Sequence, residues 1–380
     1  MVKKIKVLQV GKFFQPYKGG IELVSLGLAE ALNSNDIICD VLCISHDNAN
    51  IDENFNYHVF RAKSILNFGS TSISIDFIKI FKRIADNYDI IHLHLPNPMA
   101  HLAIMLCRPK AKIVLHWHSD IIRQKKLLFF YRPLLKRLVL KASAIIGATK
   151  SHVDESDFSE YFNKKKFIIP YIFDYETLIA NDIDNQAVDE IRKKHPNKKI
   201  LFSIGRHVYY KGFENLVMAL KSLSDDYVVI IGGTGPEKEF LHQIIRKHGL
   251  IEKAFLIGRL SDKELIDYLD ACSIFVMSSN FRSEMFGMVQ LEAFARSKPV
   301  ICSDIPRSGV PYVGKHEVTG LTVPINSPNA IAEAVEEILS HSAYQNFCDD
   351  SFQWLQSEYA YDKLLNAHIQ VYEAVLKERH

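Results

Sequence analysis

The sequence predicts an α/β protein of two doubly wound domains, each a parallel sheet covered by helices on both faces. Three observations predict it. The chain of 380 residues is too long for one ordinary core and suits two. Short apolar runs alternate with helix-like patterns along its whole length, as strands buried in parallel sheets do. The alternation also occurs twice, in two sets divided by a polar segment.

The first set is KIKVLQV, CDVLCIS, DIIHLHL, KIVLHWH, AIIGAT and FIIPYIF; the second is KILFSIG, YVVIIGG, AFLIG, SIFVMSS, PVICSD and GLTVP. The boundary falls near residues 170 to 175, where the acidic segment NDIDNQAVDE begins a helix leading into the second set. That places one domain over residues 1–172 and the other over 173–360. A final helix, from about Asp362 to Lys377, carries Leu364, Leu365, His368, Val371 and Val375 on one face. Ligands of open parallel sheets bind beyond the carboxyl ends of the strands, so two such domains facing one another would enclose a cleft.

Composition excludes several classes. With 48% hydrophobic and 24% charged residues and a net charge of +2, nothing in the balance calls for nucleic acid. The six cysteines, at 39, 43, 107, 272, 302 and 348, show no paired spacing, and several lie in strand-like runs; they read as reduced, buried thiols of a cytosolic protein. The start, MVKKIKVLQVGKFF, has its apolar stretch broken by Lys6, Gln9 and Lys12, which suits a first strand better than a signal peptide. No run has the length of a membrane-spanning helix.

Four segments could carry chemistry. In GKFFQPYKGGIELVSLGLAEAL, Gly19 and Gly20 precede an amphipathic helix and let a ligand approach the backbone; the pattern is not GxGxxG, which disfavours a nicotinamide dehydrogenase. In SIGRHVYYKGFENL, Arg206 and Lys211 follow a strand end, where a fork and a point charge can neutralise a diphosphate, or simply solvate a loop. GGTGPEKEF follows a strand but lacks the Gly-Lys-Ser/Thr ending of a P-loop. In SEMFGMVQLEAFARSKPVICSD, Gly287 turns the chain into a helix with Met288, Leu291, Phe294 and Ala295 on its apolar face. Residues 286–289 then form a phosphate seat at a helix start, with Glu284 before it and Glu292 inside the helix. Two acids flanking such a seat suit the hydroxyls of a sugar and of a ribose; alternatively, Glu292 is a solvated helix residue. His92, His94 and His116 alternate near strand ends without carboxylate partners for a metal site, and His118, last in its strand, is the best placed at a cleft wall.

Taken together, GGIE, HWHSD, GR…YYKGFENL, GGTGP, GRLSDKEL, the Glu284–Glu292 block and GLTVP resemble the retaining nucleotide-sugar glycosyltransferases of family 4, in order and spacing, over nearly the whole chain. The resemblance implies a GT-B fold, two Rossmann-like domains facing a central cleft, with residues 361–380 returning to the first domain. It implies that Arg206 and Lys211 bind the donor diphosphate and that Glu284 faces the donor sugar. Glu292 accepts from the ribose hydroxyls, and the backbone of Phe286, Gly287, Met288 and Val289 touches sugar and phosphate. Gly19 and Gly20 close over the donor, His118 lies near the transferred sugar, and the base sits near Gly258, Leu260 and Asp262. No metal or other cofactor is implied, because fixed cations can stabilise the departing phosphate. A front-face mechanism is the usual proposal for the family. Glu284 is the only evident carboxylate for a double displacement, which is the less favoured route.

The similarity is greatest to bacterial mannosyltransferases of O-antigen and other surface polysaccharides. It implies GDP-mannose as donor and an undecaprenyl diphosphate-linked oligosaccharide as acceptor. A UDP-hexose donor is the alternative, and a non-catalytic sugar-nucleotide-binding protein is the alternative of another class. A GT-B epimerase or phosphorylase would dispense with a lipid acceptor, but no pyridoxal-binding lysine region is evident. Residues 123–143, RQKKLLFFYRPLLKRLVLKAS, hold seven Lys or Arg and no acid. Their Leu and Phe side chains suit a helix lying on an anionic membrane at the inner face of the cytoplasmic membrane, or one packed on the sheet with its bases in water. Pro133 argues against a single continuous helix there.

Overall fold

In a computed structural model of the chain, residues 4–17, 19–45, 55–64, 66–68, 71–121, 125–162, 165–180, 183–340 and 344–378 are described. The chain forms two compact units, Met1–Phe173 with Tyr361–His380, and Asp174–Ala360.

The first unit is built on β1 (Lys6–Val10), β2 (Ile38–Ser45), β3 (Val59–Lys63), β6 (Ile90–Leu95), β7 (Lys112–Trp117), β8 (Ala144–Gly147) and β9 (Lys166–Ile168); a short antiparallel pair, β4 (Leu66–Phe68) and β5 (Thr71–Ile73), stands apart. The seven strands run parallel in the order β3-β2-β1-β6-β7-β8-β9. The strand order reverses between β1 and β6, which makes the end of β1 a switch point. Because helices cover both faces, β6 is buried at every residue, and so its sequence is apolar except for two histidines. Local chemistry starts the helices. Ser74 accepts from the N–H of Phe77 ahead of Ile75–Ile84, and Asn97 from Ala100 ahead of Pro98–Cys107, with Pro98 in the first turn where no N–H is missed.

Lys125–Lys141 is one helix running through Pro133, contrary to the break expected there. The proline is on the exposed side, where solvent takes up the freed carbonyl, while Leu135, Leu138 and Val139 hold the helix to the core. The last helix, Tyr361–Lys377, packs in this unit and buries Leu364, Leu365, His368, Val371, Tyr372 and Val375.

The second unit has β10 (Lys199–Ile204), β11 (Tyr227–Gly232), β12 (Ala254–Gly258), β13 (Ile274–Met277), β14 (Val300–Asp304) and β15 (Gly320–Pro324), parallel in the order β12-β11-β10-β13-β14-β15. Its switch point lies between β10 and β13. The two cores are separate: Leu8, Leu93, Leu115 and Trp117 belong to one, Leu201, Val229, Val276 and Ile301 to the other.

Candidate functional site

At the switch point of the second unit, the loops leaving β10 and β13 bring Lys211 and Glu284 together. Lys211 Nζ lies 2.5 Å from Glu284 Oε2, and the side chains are only 16% and 14% exposed. Gly205 makes room for the lysine, since a Cβ there would stand 3.1 Å from Lys211 Cε. Ser278 Oγ donates to the carbonyl of Lys211 at 3.1 Å and the N–H of Asn280 to that of Tyr210 at 2.9 Å, so the two loops are tied by their backbones. Arg206, one residue past Gly205, is exposed and makes no ion pair among the described residues.

The turn that follows Glu284 is fixed from several sides. Gly287 has φ +75°, and a Cβ there would lie 2.5 Å from Met277 Cε, so a side chain is excluded by both conformation and space. Gln290, fully buried, donates to the carbonyls of Phe286 (3.1 Å) and Val310 (3.3 Å). Ser308 Oγ donates to the carbonyl of Glu284 at 2.5 Å and the N–H of Gly309 to that of Met285 at 2.9 Å. With the turn so held, the N–H groups of Gly287, Met288 and Val289 find no carbonyl among the described residues. They open the short helix Val289–Ala295. The ring of Phe286 is buried beside Tyr359, with centroids 6.2 Å apart, so only its backbone can meet a ligand.

Glu292 lies on that helix, half-buried. Burial pushes its carboxyl up to about 7, the negative charge of Asp262 adds to the rise, and Lys211 opposes it. The helix is anchored by Arg296, whose guanidinium forms a two-pronged, buried pair with Asp270, each contact 2.7 Å. Gly258 ends β12 with φ +81°, Leu260 is half-buried against Gly232, and Asp262 opens a helix behind the Ser261–Glu264 capping box. The second unit therefore carries eleven of the fourteen residues singled out above: Arg206, Lys211, Gly258, Leu260, Asp262, Glu284, Phe286, Gly287, Met288, Val289 and Glu292.

The other three, Gly19, Gly20 and His118, are in the first unit. Gly19 caps the helix Gly20–Asn33 at the loop following β1. Burial raises the carboxyl of Glu22 in the first turn and lowers the ammonium of Lys12, and each charge moderates the shift of the other. His118, expected at a cleft wall, is 4% exposed. Its Nε2 is 2.8 Å from His94 Nδ1 and its Nδ1 2.9 Å from the hydroxyl of Tyr171. It belongs to a stack of imidazoles, lying 4.4 Å from the ring of His116 and 5.1 Å from that of His94. His92, His94 and His116 place ring nitrogens within 4.8 Å of one another, the one group among the described residues with that spacing. His92 also bonds to Tyr372 (2.7 Å) and His116 (3.1 Å). Burial lowers the basicity of all four, and neighbouring imidazoles lower it further.

Residues 184–350 match the family model of glycosyl transferases group 1, and residues 18–157 that of glycosyltransferase family 4. The O-antigen chain mannosyltransferase C of Escherichia coli is 30% identical over 99% of this chain and all of its own. The chain is a GT-B glycosyltransferase. The D-rhamnosyltransferase WbpZ of Pseudomonas aeruginosa is 33% identical over 88% of this chain and 87% of its own. Among solved structures, Alr3699/HepE of Anabaena with UDP superposes with a TM-score of 0.79 at 17% identity, covering 98% of this chain and all of that one. Sucrose-phosphate synthase of Thermosynechococcus elongatus gives 0.81 at 19%, over 98% and 99%.

Several residues that build this glycosyltransferase's sites went unmarked in the sequence. Gln9 and Gln290 each had a signal, a lone polar side chain in an otherwise apolar strand or helix face, where burial demands a partner. Ser308, Tyr171 and Tyr372 had none, because their partners lie far away along the chain.

Proposed function

We propose that this glycosyltransferase moves a hexose, in the first instance mannose from GDP-mannose, onto a lipid-linked oligosaccharide of a surface polysaccharide such as O-antigen, with retention of configuration. The observation that carries this is the Lys211–Glu284 pair at the switch point of the second sheet. In the absence of a donor the two charges satisfy each other. An arriving diphosphate would draw Lys211 away together with Arg206, and a sugar hydroxyl would donate to the released Glu284. The ribose hydroxyls would donate to Glu292, with the base near Gly258, Leu260 and Asp262. The bond from the anomeric carbon to the diphosphate oxygen breaks, the acceptor oxygen bonds to that carbon on the same face, and its proton passes to the departing phosphate. Two fixed cations and the N–H groups of Gly287, Met288 and Val289 supply the electrostatic stabilisation, with no metal ion called for.

Relatives named for mannosyl and D-rhamnosyl transfer support a manno-configured sugar, since D-rhamnose is mannose without its 6-hydroxyl. Solved neighbours bound to UDP and UDP-glucose favour a second reading, a UDP-hexose donor. Calorimetric titration with GDP, UDP and ADP, without added metal, separates them. GDP is expected to bind most tightly, and more weakly to Lys211→Ala. A preference for UDP replaces the donor, and binding of none by folded protein removes the reading.

The acceptor side involves a membrane surface. On the helix Lys125–Lys141, Phe129 and Phe130 are 75% and 76% exposed, with Arg132, Arg137 and Lys141 also exposed. Arg123 and Gln124 of the basic segment lie outside the described residues. His101 Nδ1 pairs with the hydroxyl of Tyr131 at 2.7 Å, tying this helix to Pro98–Cys107, which exposes Leu102, Met105 and Leu106. Such apolar and basic groups suit the inner face of a cytoplasmic membrane, and no helix among the described residues is long and apolar enough to cross one. Replacing Phe129 and Phe130 with serine is expected to weaken sedimentation with phosphatidylglycerol vesicles at least about tenfold, given the apolar area of two rings. Equal partitioning of variant and parent would count against a membrane face here.

A further inference from the structure

The loops that bring Lys211 and Glu284 together also carry two aromatic side chains that the donor reading does not use. Tyr209 and Phe281 are 42% and 41% exposed, and their ring centroids lie 6.0 Å apart with the planes inclined at 59°. Among the described residues of the second unit, they are the two exposed large side chains whose rings meet. The half-buried ring of Tyr210 stands nearly perpendicular to that of Tyr209, at 87° and 5.6 Å, and adds a third. The backbones that carry these rings are fixed. The N–H of Lys211 donates to the carbonyl of Val208 at 2.9 Å, that of Glu284 to Phe281 at 3.0 Å, and that of Asn280 joins the two loops at Tyr210. Asn326, from the loop after β15, accepts from Asn280 Nδ2 at 2.9 Å and from Asn215 Nδ2 at 3.4 Å. A turn closed from its first residue to its fourth keeps its ends within about 7 Å, so each ring is rooted within one turn of Lys211 or Glu284.

We propose that Tyr209 and Phe281 form an acceptor subsite, on which the sugar ring that receives the transferred hexose stacks by its C–H face. The proposal rests on the reading of Lys211 and Glu284 as the place of transfer, and names the group that must come beside them. An attacking hydroxyl has to lie within bonding reach of the anomeric carbon, so the sugar that bears it sits next to the residues holding the donor. Two exposed rings in contact on tied loops forgo burial that would stabilise the fold, and surfaces keep such patches for ligands. A pyranose supplies the complement. Its C–H bonds, polarised by the neighbouring oxygens, suit the electron-rich face of an aromatic ring, while its hydroxyls stay at the rim. Rings inclined at 59° offer a shallow corner rather than a slot, which a sugar can enter and leave with each transfer. The base of the donor is the other flat group at hand, but strand order disfavours it. β12, which ends at Gly258, lies two strands from β10 and three from β13, about 10 and 14 Å away, whereas the rings stand on the loops after β10 and β13.

Saturation-transfer NMR on the whole chain, with and without GDP or UDP, tests this with the methyl glycosides of mannose, glucose and N-acetylglucosamine as probes. Irradiating the aromatic protons is expected to saturate ring hydrogens of at least one probe. The fluorine resonance of Phe281→4-fluorophenylalanine is expected to shift as that probe is added. Tyr209→Ala combined with Phe281→Ala is expected to weaken the probe at least about tenfold, with GDP and UDP affinities held within about twofold. Tyr209→Trp, which keeps a flat face, is expected to retain it. A parent that passes saturation to none of the three probes overturns the proposal, as does a double variant that binds them as tightly as the parent. An equal loss of GDP or UDP affinity in the double variant also overturns it, since the rings then serve the nucleotide or the fold. A parent that holds a glycoside against the rings but binds neither GDP nor UDP keeps the platform and overturns the donor reading instead.

Discussion

Replacing Lys211 with alanine is expected to lower turnover about 10²- to 10³-fold, the usual cost of removing one fixed group that stabilises charge developing on a leaving group. The loss falls on kcat as well as on donor affinity, because the charge on the departing phosphate grows as the glycosidic bond breaks. A second effect arises in the free protein. The Lys211–Glu284 pair is 2.5 Å long and mostly buried, and the remaining neighbour of the carboxylate, Ser279 Oγ, is 3.5 Å away. Alanine at 211 therefore leaves a half-buried carboxylate without its cation, costing the second unit up to about 3 kcal/mol. Glu284→Gln in the same chain should restore much of that stability and none of the activity, a separation that urea unfolding and steady-state kinetics measure together. Arginine at 211 should not rescue turnover, since the space above Gly205 is fitted to a narrow lysine stem, and Gly205→Ala should displace the ammonium directly. Turnover within a few-fold of the parent in Lys211→Ala would remove the lysine from the reaction.

What was legible in the sequence follows from how local each signal is. Strands buried on both faces are continuous apolar runs, so DIIHLHL and YVVIIGG declared themselves, and the two sets announced two sheets. The turn at Gly287 was legible because it precedes an apolar face at helical spacing, and the loops after β10 and β13 because charged residues follow strand ends. Their meeting was not legible from either loop alone. Lys211 and Glu284 are 73 positions apart, and only the strand order places β10 beside β13. Pro133 misled because the rule against proline in helices assumes that the lost hydrogen bond is buried, and here it faces water. His118 was legible as a strand-end residue, but its surroundings were not: it is covered by Tyr171 and by a stack whose other members come from β6 and β7.

That stack makes the first unit the acid-labile half of the molecule. His92, His94, His116, His118 and His368 are all buried and all less basic than an ordinary imidazole, His94 down to about 3 and His368 to about 4. Unfolded, each takes up a proton near pH 6.5; folded, none does until far lower. Their contribution is therefore complete above about pH 7 and is lost as pH falls below 6.5, at about 1.4 kcal/mol per pH unit for each histidine once the unfolded form is charged. Five together remove about 6 kcal/mol between pH 7 and 5.5, comparable to the whole stability of an ordinary domain. Glu22, whose carboxyl is raised, offsets a small part. Among its described residues the second unit has no such stack. Burial lowers the basicity of the partly exposed His195 and of the fully buried His207, but Glu292, raised to about 7, binds a proton in the folded form first and favours the folded state there as pH falls from 7 toward 4.5. The two tryptophans separate the units: Trp117 lies in the core of the first, Trp354 in the second. Acid titration of Trp354→Phe, leaving Trp117 as reporter, should show a transition between about pH 5 and 6 linked to uptake of four to five protons. Trp117→Phe should show the second unit persisting below that range. A single coincident transition below pH 4.5, or uptake of fewer than about two protons, would mean that the histidines are charged in the folded first unit, and that the stack is held by something other than neutral hydrogen bonds.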